Sequence, residues 1–181
     1  LFDRLSVFVG GWTMPAAETV CADQDLAQDD VLELLVSLTH KSLVVPDGNG
    51  ARFRMLETIR EYARDCLDKR DRSRSVRMRH RDYFLTLAEE AEPYLEGGQE
   101  QPDWMMRLDV EHDNLRAALG FSIEETADEA DLRLCGALYR FWAHRGHARE
   151  GRQWCIAALD HAASRPGTSF RLKALHASGT L

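Results

Sequence analysis

Apolar residues recur at helical spacing along most of the chain, and the period changes only over a short stretch near its first quarter. Phe2, Leu5 and Val9 share one helical face, which Gly10-Gly11 ends. Thr13, followed closely by Pro15, marks the start of a second helix running to about Cys21. Asp29 and Asp30 open a third, to about Lys41, with Val31, Leu34, Leu35 and Leu38 in a 3.6-residue period. At Leu43 the pattern shortens. Leu43-Val44-Val45 is β-rich, Asp47-Gly48-Asn49-Gly50 supplies the positive-φ residues of a tight hairpin, and Arg52-Phe53-Arg54-Met55 alternates. Helical spacing returns at Glu57 through Ile59, Ala63 and Leu67. Three small helices followed by a two-stranded wing predict a winged helix over residues 1–71.

From Ser73 onward no strand pattern survives. Phe84, Leu87, Ala88, Ala91 and Leu95 predict one amphipathic helix, ended near Gly97-Gly98; Trp104, Met105, Leu108, Leu115, Leu119 and Ile123 predict another. Leu134, Cys135, Leu138, Phe141 and Trp142 make a third with a wide apolar face, broken at Gly146. Gly151, Trp154, Cys155, Ala158, Leu159 and Ala162 carry a fourth, stopped by Pro166-Gly167, and a fifth begins near Phe170. Short glycine or proline turns between such helices predict antiparallel hairpins. Residues 72–128 read as a linking helical hairpin and 129–181 as stacked hairpins, so the fold class is mainly α: a winged helix followed by an α-solenoid. The stretch 138–146 resembles the first helix and turn of a tetratricopeptide (TPR) repeat, with Gly151 and Ala158 as the small residues of the second helix. Trp142 and Trp154 fall on the facing helices of this hairpin and read as core.

Composition adds little to that picture. The chain has 181 residues, 44% apolar and 29% charged, as an ordinary globular protein does. It starts at Leu1 without a signal pattern and reads as a piece of a longer protein. No run approaches the roughly 18 to 20 apolar residues of a membrane span, and a cytoplasmic location is expected. Cys21, Cys66, Cys135 and Cys155 sit in apolar helical patterns and read as buried reduced thiols. Charge changes the picture more. The net is −6 over residues 1–51, +6 over 52–81, −13 over 82–131 and +6 over 132–181. Such blocks predict segments that face each other or different partners.

The helix before the wing would be the recognition helix of a DNA-binding winged helix, yet Asp29, Asp30 and Glu33 occupy its approach. Carboxylates there oppose phosphate contact, so direct nucleic-acid binding is not expected and the surface reads as a protein-docking face. Arg70, Arg74, Arg77 and Arg81 recur at spacings of three and four and predict a docking cluster for acidic surface, within the chain or on another domain.

Four stretches carry a family resemblance. Residues 55–63, Met55-Leu56-Glu57-Thr58-Ile59-Arg60-Glu61-Tyr62-Ala63, resemble the end of the regulatory winged helix in the signal-transduction ATPases with numerous domains. Leu1 to Gly11, Lys41-Ser42-Leu43-Val44 and Glu111-His112-Asp113-Asn114-Leu115-Arg116-Ala117-Ala118-Leu119 resemble its bacterial branch, which includes large LuxR-type and antibiotic-regulatory-type transcriptional activators. The resemblance implies the order ATPase core, winged helix, TPR sensor, with ATP or ADP held in an upstream domain. It also implies a regulatory role for Met55, Leu56, Glu57 and Arg60. In the eukaryotic relatives a histidine at the position of Leu56 contacts nucleotide phosphate; leucine cannot donate, so that contact is not carried over. His40, close to the wing, reads as a surface histidine.

Sites for chemistry are sparse. No Gly-x-x-x-x-Gly-Lys-Ser/Thr loop occurs, so no cofactor is expected in this chain. His144 and His147 are three apart, but Gly146 lies between them and no carboxylate or cysteine completes a metal-ligand set, so no metal site is expected. The expected function is a non-enzymatic regulatory and protein-interaction segment of a bacterial signalling ATPase that regulates transcription. Its expected partners are the ATPase core, further TPR repeats, an inducer at the solenoid, and a second copy through the apolar Leu172 and Leu175 of the last helix. A DNA-binding winged helix with a helical oligomerisation tail is the alternative.

Overall fold

The computed structural model describes residues 1–48, 50–125, 128–162 and 167–181, which are mainly helical with one small sheet. Two compact units result, Leu1–Tyr83 and Phe84–Leu181. The hairpin residue Asn49 and the helix-stopping Pro166 lie outside the described residues.

The first unit opens with a 3₁₀ turn, Arg4–Val7, where an α-helix was expected. Asp3 caps it, and Gly10 and Gly11 leave it with φ of 81° and 110°. Gly11 is also pressed against the sheet, since a Cβ there would stand 2.7 Å from the Phe53 carbonyl oxygen. That proximity belongs to a strand the apolar pattern was too short to announce. β1 (Trp12–Thr13) pairs antiparallel with β3 (Arg52–Arg54), and β3 pairs with β2 (Val45–Pro46), giving the order β1-β3-β2. Leu43 and Val44 lie outside β2, because Ser42 leaves the preceding helix in the left-handed region (φ 58°) and Leu43 N–H still donates to the Leu38 carbonyl.

Three α-helices complete this part: α1 (Met14–Cys21), α2 (Gln28–His40) and α3 (Glu57–Asp68). The Thr13 hydroxyl accepts from Ala16 N–H and Pro15 sits in the first turn of α1, as its sequence predicts. Of the four apolar positions expected on the inner face of α2, only Val31 and Leu35 are buried. Leu34 is exposed together with Leu32 and Val36, while α2 packs on α1. Leu5, Phe8, Trp12, Val20, Ala63 and Leu67 fill the core, and the Phe8 ring packs tilted against Trp12 at 5.5 Å.

Helix α4 (Ser73–Ala91) begins in the first unit and ends in the second. The helix expected over 84–95 changes to a 3₁₀ segment at Glu92–Glu96, since Pro93 offers no N–H to continue the α ladder. The single helix expected through 104–123 is two, α5 (Gln101–Val110) and α6 (His112–Glu125), broken at Glu111. The Glu111 carbonyl accepts from Leu115 N–H and its carboxylate from the Asn114 amide, so both polar residues serve the new helix start.

Next come α7 (Ala130–Arg145), α8 (Ala148–His161) and α9 (Ser169–Thr180), which all pack on one another. Gly146 turns α7 into α8 with φ 77°, a left-handed C-cap, and His147 N–H returns to the Trp142 carbonyl at 2.9 Å. Trp142 is 1% exposed and lies flat over Gly151, where a Cβ would stand 2.4 Å from the ring. Ala158 is buried farther along α8. Ala174 and Ala177 face inward from α9, while Leu172 and Leu175 are exposed.

Glycines in this unit should therefore respond oppositely to substitution. Gly151→Ala should lose about 1 to 3 kcal/mol through overpacking. Gly120→Ala in α6, whose Cβ meets nothing within 4 Å, should gain up to about 1 kcal/mol from helix propensity. Urea unfolding of the two variants checks the pair. Equal shifts would mean that Trp142 does not set the approach of α8.

Candidate functional site

In the first unit, Met55, Leu56, Glu57 and Arg60 do come together around one opening. They line a cleft of about 280 Å³ with Phe8 and Trp12. Met55 is buried, whereas Leu56 caps the start of α3 from an exposed position. Arg60 donates through Nε and Nη2 to the two Glu57 oxygens at 3.0 and 2.5 Å, and reaches back to the Ser6 carbonyl at 3.5 Å. That hydrogen-bonded guanidinium holds the Glu57 carboxyl below the usual carboxylate range. The Trp12 indole N–H is buried without a hydrogen-bond partner beside the cleft. Elsewhere in this unit, α2 presents exposed Asp29, Asp30, Glu33, Leu32, Leu34 and Val36. Leu32, Val36, Phe53 and the exposed His40 line a shallow apolar depression of about 140 Å³ there.

The arginines after α3 do not form the single helical face expected of them, because Arg70 precedes α4. Three of the four instead reach carboxylates of their own unit. Arg70 pairs with the buried Asp3 at 3.0 Å, and Arg77 with Asp68 at 2.8 Å. Arg81, buried, contacts Asp82, and Arg74 is exposed. Two neighbours outside the expected cluster do the same work: Arg72 pairs with Asp25, and Arg79 donates to the Val20 carbonyl near Asp23. Burial works against the Asp23 carboxylate, but the hydrogen bond from Arg4 and the charges of Arg79 and Arg72 hold its carboxyl below the ordinary range. All four cysteines are free, and burial pushes the Cys21 thiol up to about 12.

The second unit holds an arrangement that neither spacing nor periodicity indicated. The break at Glu111 puts His112 first in α6, and the Gly146 turn puts His147 and Glu150 at the start of α8. Arg116, one turn into α6, grips Glu150 with Nε on Oε1 and Nη2 on Oε2, both at 2.6 Å, and its Nη1 reaches Asp113 at 2.9 Å. Trp154, half-buried rather than core, donates its indole N–H to Glu150 at 3.3 Å. His112 stands edge-on to Phe141 at 5.2 Å and 4.6 Å from the His147 ring. Its Nε2 is buried 3.5 Å from Glu150 Oε1 and makes no hydrogen bond. Burial first, and then the Arg116 charge, hold His112 below the usual histidine range, so its imidazole is neutral near pH 7. The Arg116 hydrogen bonds hold the Glu150 carboxyl down to about 2.

The carboxylate expected to be missing near His147 is thus Glu150, three residues on, and the second imidazole is His112 rather than His144. His144 is exposed and bonds the Arg140 carbonyl of its own helix. The one sequence signal for this cluster was the stretch 111–119, which marks the position without revealing that it meets α8.

The chain is 38% identical over 162 residues to proteins of Mycobacterium tuberculosis and Mycobacterium bovis that carry the provisional name HTH-type transcriptional regulator. The match covers 88% of this chain and 18% of each relative, so the chain spans about a fifth of the length of these curated relatives. A shorter match, 33% identical over 87 residues, is to an uncharacterized protein of Mycobacterium tuberculosis and covers 46% of this chain and 22% of that protein. No protein-family model matches the chain, and no solved structure matches it.

The depressed Glu150 carboxyl makes a pH prediction. A folded value near 2 against an ordinary 4.5 stabilises the fold fully above about pH 4.5, and the gain disappears as pH falls toward 2. Glu150→Gln should therefore lower the unfolding free energy at pH 7 by about 1 to 3 kcal/mol. Its deficit against the parent chain should shrink between pH 4.5 and pH 2. Urea unfolding at stepped pH, with chelator present, reads this; a deficit independent of pH would show that the charge of Glu150 is not what matters.

Proposed function

We propose that this chain is the regulatory, protein-binding segment of a transcriptional regulator, with a winged-helix first unit and TPR-like hairpins in the second. The observation that carries the reading is the 38% identity, across 88% of the chain, to mycobacterial proteins provisionally named HTH-type transcriptional regulators. Supporting it in the first unit, helices precede an antiparallel β2–β3 pair that β1 extends to three strands. In the second unit, the α7–α8 hairpin crosses at Gly151 with Ala158 buried beyond it, as TPR-like packing requires. The exposed Leu172 and Leu175 of α9 support continued stacking of helices, or a second copy, on that face.

The role is binding rather than catalysis. A nucleotide-binding core elsewhere in the regulator would hold ATP or ADP, and the first unit would dock on it. The solenoid would receive a protein or small-molecule inducer. The α2 face supports protein docking over DNA contact, because it offers Asp29, Asp30 and Glu33 around exposed Leu32, Leu34 and Val36. Among the described residues, no helix is long and apolar enough to cross a membrane.

Fluorescence anisotropy with labelled mixed-sequence duplexes tests the docking assignment. The 181-residue chain should bind weakly at low salt and lose that binding by about 150 mM. Micromolar affinity that survives about 150 mM salt would overturn it in favour of a DNA-binding winged helix with a helical tail.

A further inference from the structure

We propose that His112, His147 and Glu150 form a binding site for one divalent transition-metal ion, zinc being the best match, joining the start of α6 to the start of α8. One ligand atom from each residue lies within 4.8 Å of the other two. Two imidazoles and a carboxylate are a known zinc set, and bonds of about 2.0 to 2.2 Å in a tetrahedral shell place ligand atoms roughly 3.3 Å apart. His112 Nε2 and Glu150 Oε1 already stand 3.5 Å apart. His147 has its half-buried ring at a helix start, three residues before Glu150 and on the same side of α8.

A separate observation points to a ligand. His112 is 9% exposed, and its Nε2 has no hydrogen-bond partner although it faces the carboxylate. A buried imidazole nitrogen that stands beside a carboxylate without completing a hydrogen bond is well placed to share a cation with it. The chemistry selects the ion. Two nitrogen donors favour zinc and its first-row neighbours over calcium or magnesium, which take oxygen shells. Glu150 opposes an anion.

Arg116 does not block this site; it is a positioning residue. An ion at Oε1 replaces the Arg116 Nε and Trp154 Nε1 contacts on that oxygen, while Nη2 keeps Oε2 and Nη1 keeps Asp113. A ligating carboxylate held by an outer hydrogen bond is the usual second layer of a metal site. Three protein ligands leave a fourth position for water.

Zinc(II) titrated into the chelator-stripped chain, in competition with a chromogenic chelator, tests the assignment. One equivalent should bind with micromolar or tighter affinity and raise the melting temperature. His147→Ala and Glu150→Gln should each weaken binding at least about tenfold, with circular dichroism confirming that both variants fold. His147→Gln, at the same half-buried position, should do likewise. Cobalt(II) should give a tetrahedral spectrum without the thiolate charge-transfer band. No saturable equivalent, unchanged binding in the His147 variants, or a thiolate band that places the ion on cysteine would each overturn the site.

Discussion

The close contact of Trp142 with Gly151 governs the geometry of the second unit. An indole lying where a Cβ would be draws α8 to backbone distance from α7 at its first turn. The Gly146 turn leaves no slack between them, since His147 N–H is already bonded to the Trp142 carbonyl. The positions of His147 and Glu150 follow from these two glycines. A larger residue at 151 would push the first turn of α8 away, and Glu150 would leave the reach of Arg116. Packing and polar chemistry are therefore one constraint here, set by a residue with no side chain.

The charge blocks are resolved by the fold on a similar logic. In the second unit the acidic stretch meets the basic one: Glu89 with Arg133, Glu96 with Arg140 and Asp109 with Arg145, at 2.7 to 2.8 Å. In the first unit, Asp3, Asp23 and Asp25 meet Arg70, Arg79 and Arg72. Most of these pairs are partly exposed and contribute only about 0.2 to 1 kcal/mol each, so their weight is in register and partner choice rather than stability. The Arg116–Glu150 pair differs. Arg116 is one of two cations in the acidic block and Glu150 one of two anions in the basic block. The two minority charges meet with double hydrogen bonds, which makes their contact specific where block attraction alone would not be.

Helices with strong punctuation were legible in the sequence. Thr13 with Pro15, Gly146 and the apolar stripe of α7 fixed their elements to within a residue or two. What was not legible depended on partners distant in the chain. β1 has two residues and exists because β3 pairs with it. The break at Glu111 interrupts an apolar period that runs through it undisturbed, and only the side-chain bond from Asn114 shows why the ladder restarts. The arginine cluster had the right chemistry and the wrong geometry, since helical spacing was counted across a boundary that falls after Arg72. The polar cluster at α6 and α8 could not be read by spacing, because His112 and Glu150 lie on different helices far apart in the chain.

His112 carries the remaining argument. Leaving a buried polar atom without a partner costs about 1 to 3 kcal/mol, and a leucine or phenylalanine against Phe141 would avoid that. Helix contact alone thus gives no reason for an imidazole at this position. Neither does ion pairing, because Arg116 already holds both oxygens of Glu150. The cost becomes intelligible when the nitrogen lone pair is used, and the group that can use it, between a neutral imidazole and a carboxylate, is a cation. A cation bound there would tie α6 to the α7–α8 hairpin at the place where the helix break and the glycine turn converge. Occupancy would then change how firmly the hairpin is held without altering its fold.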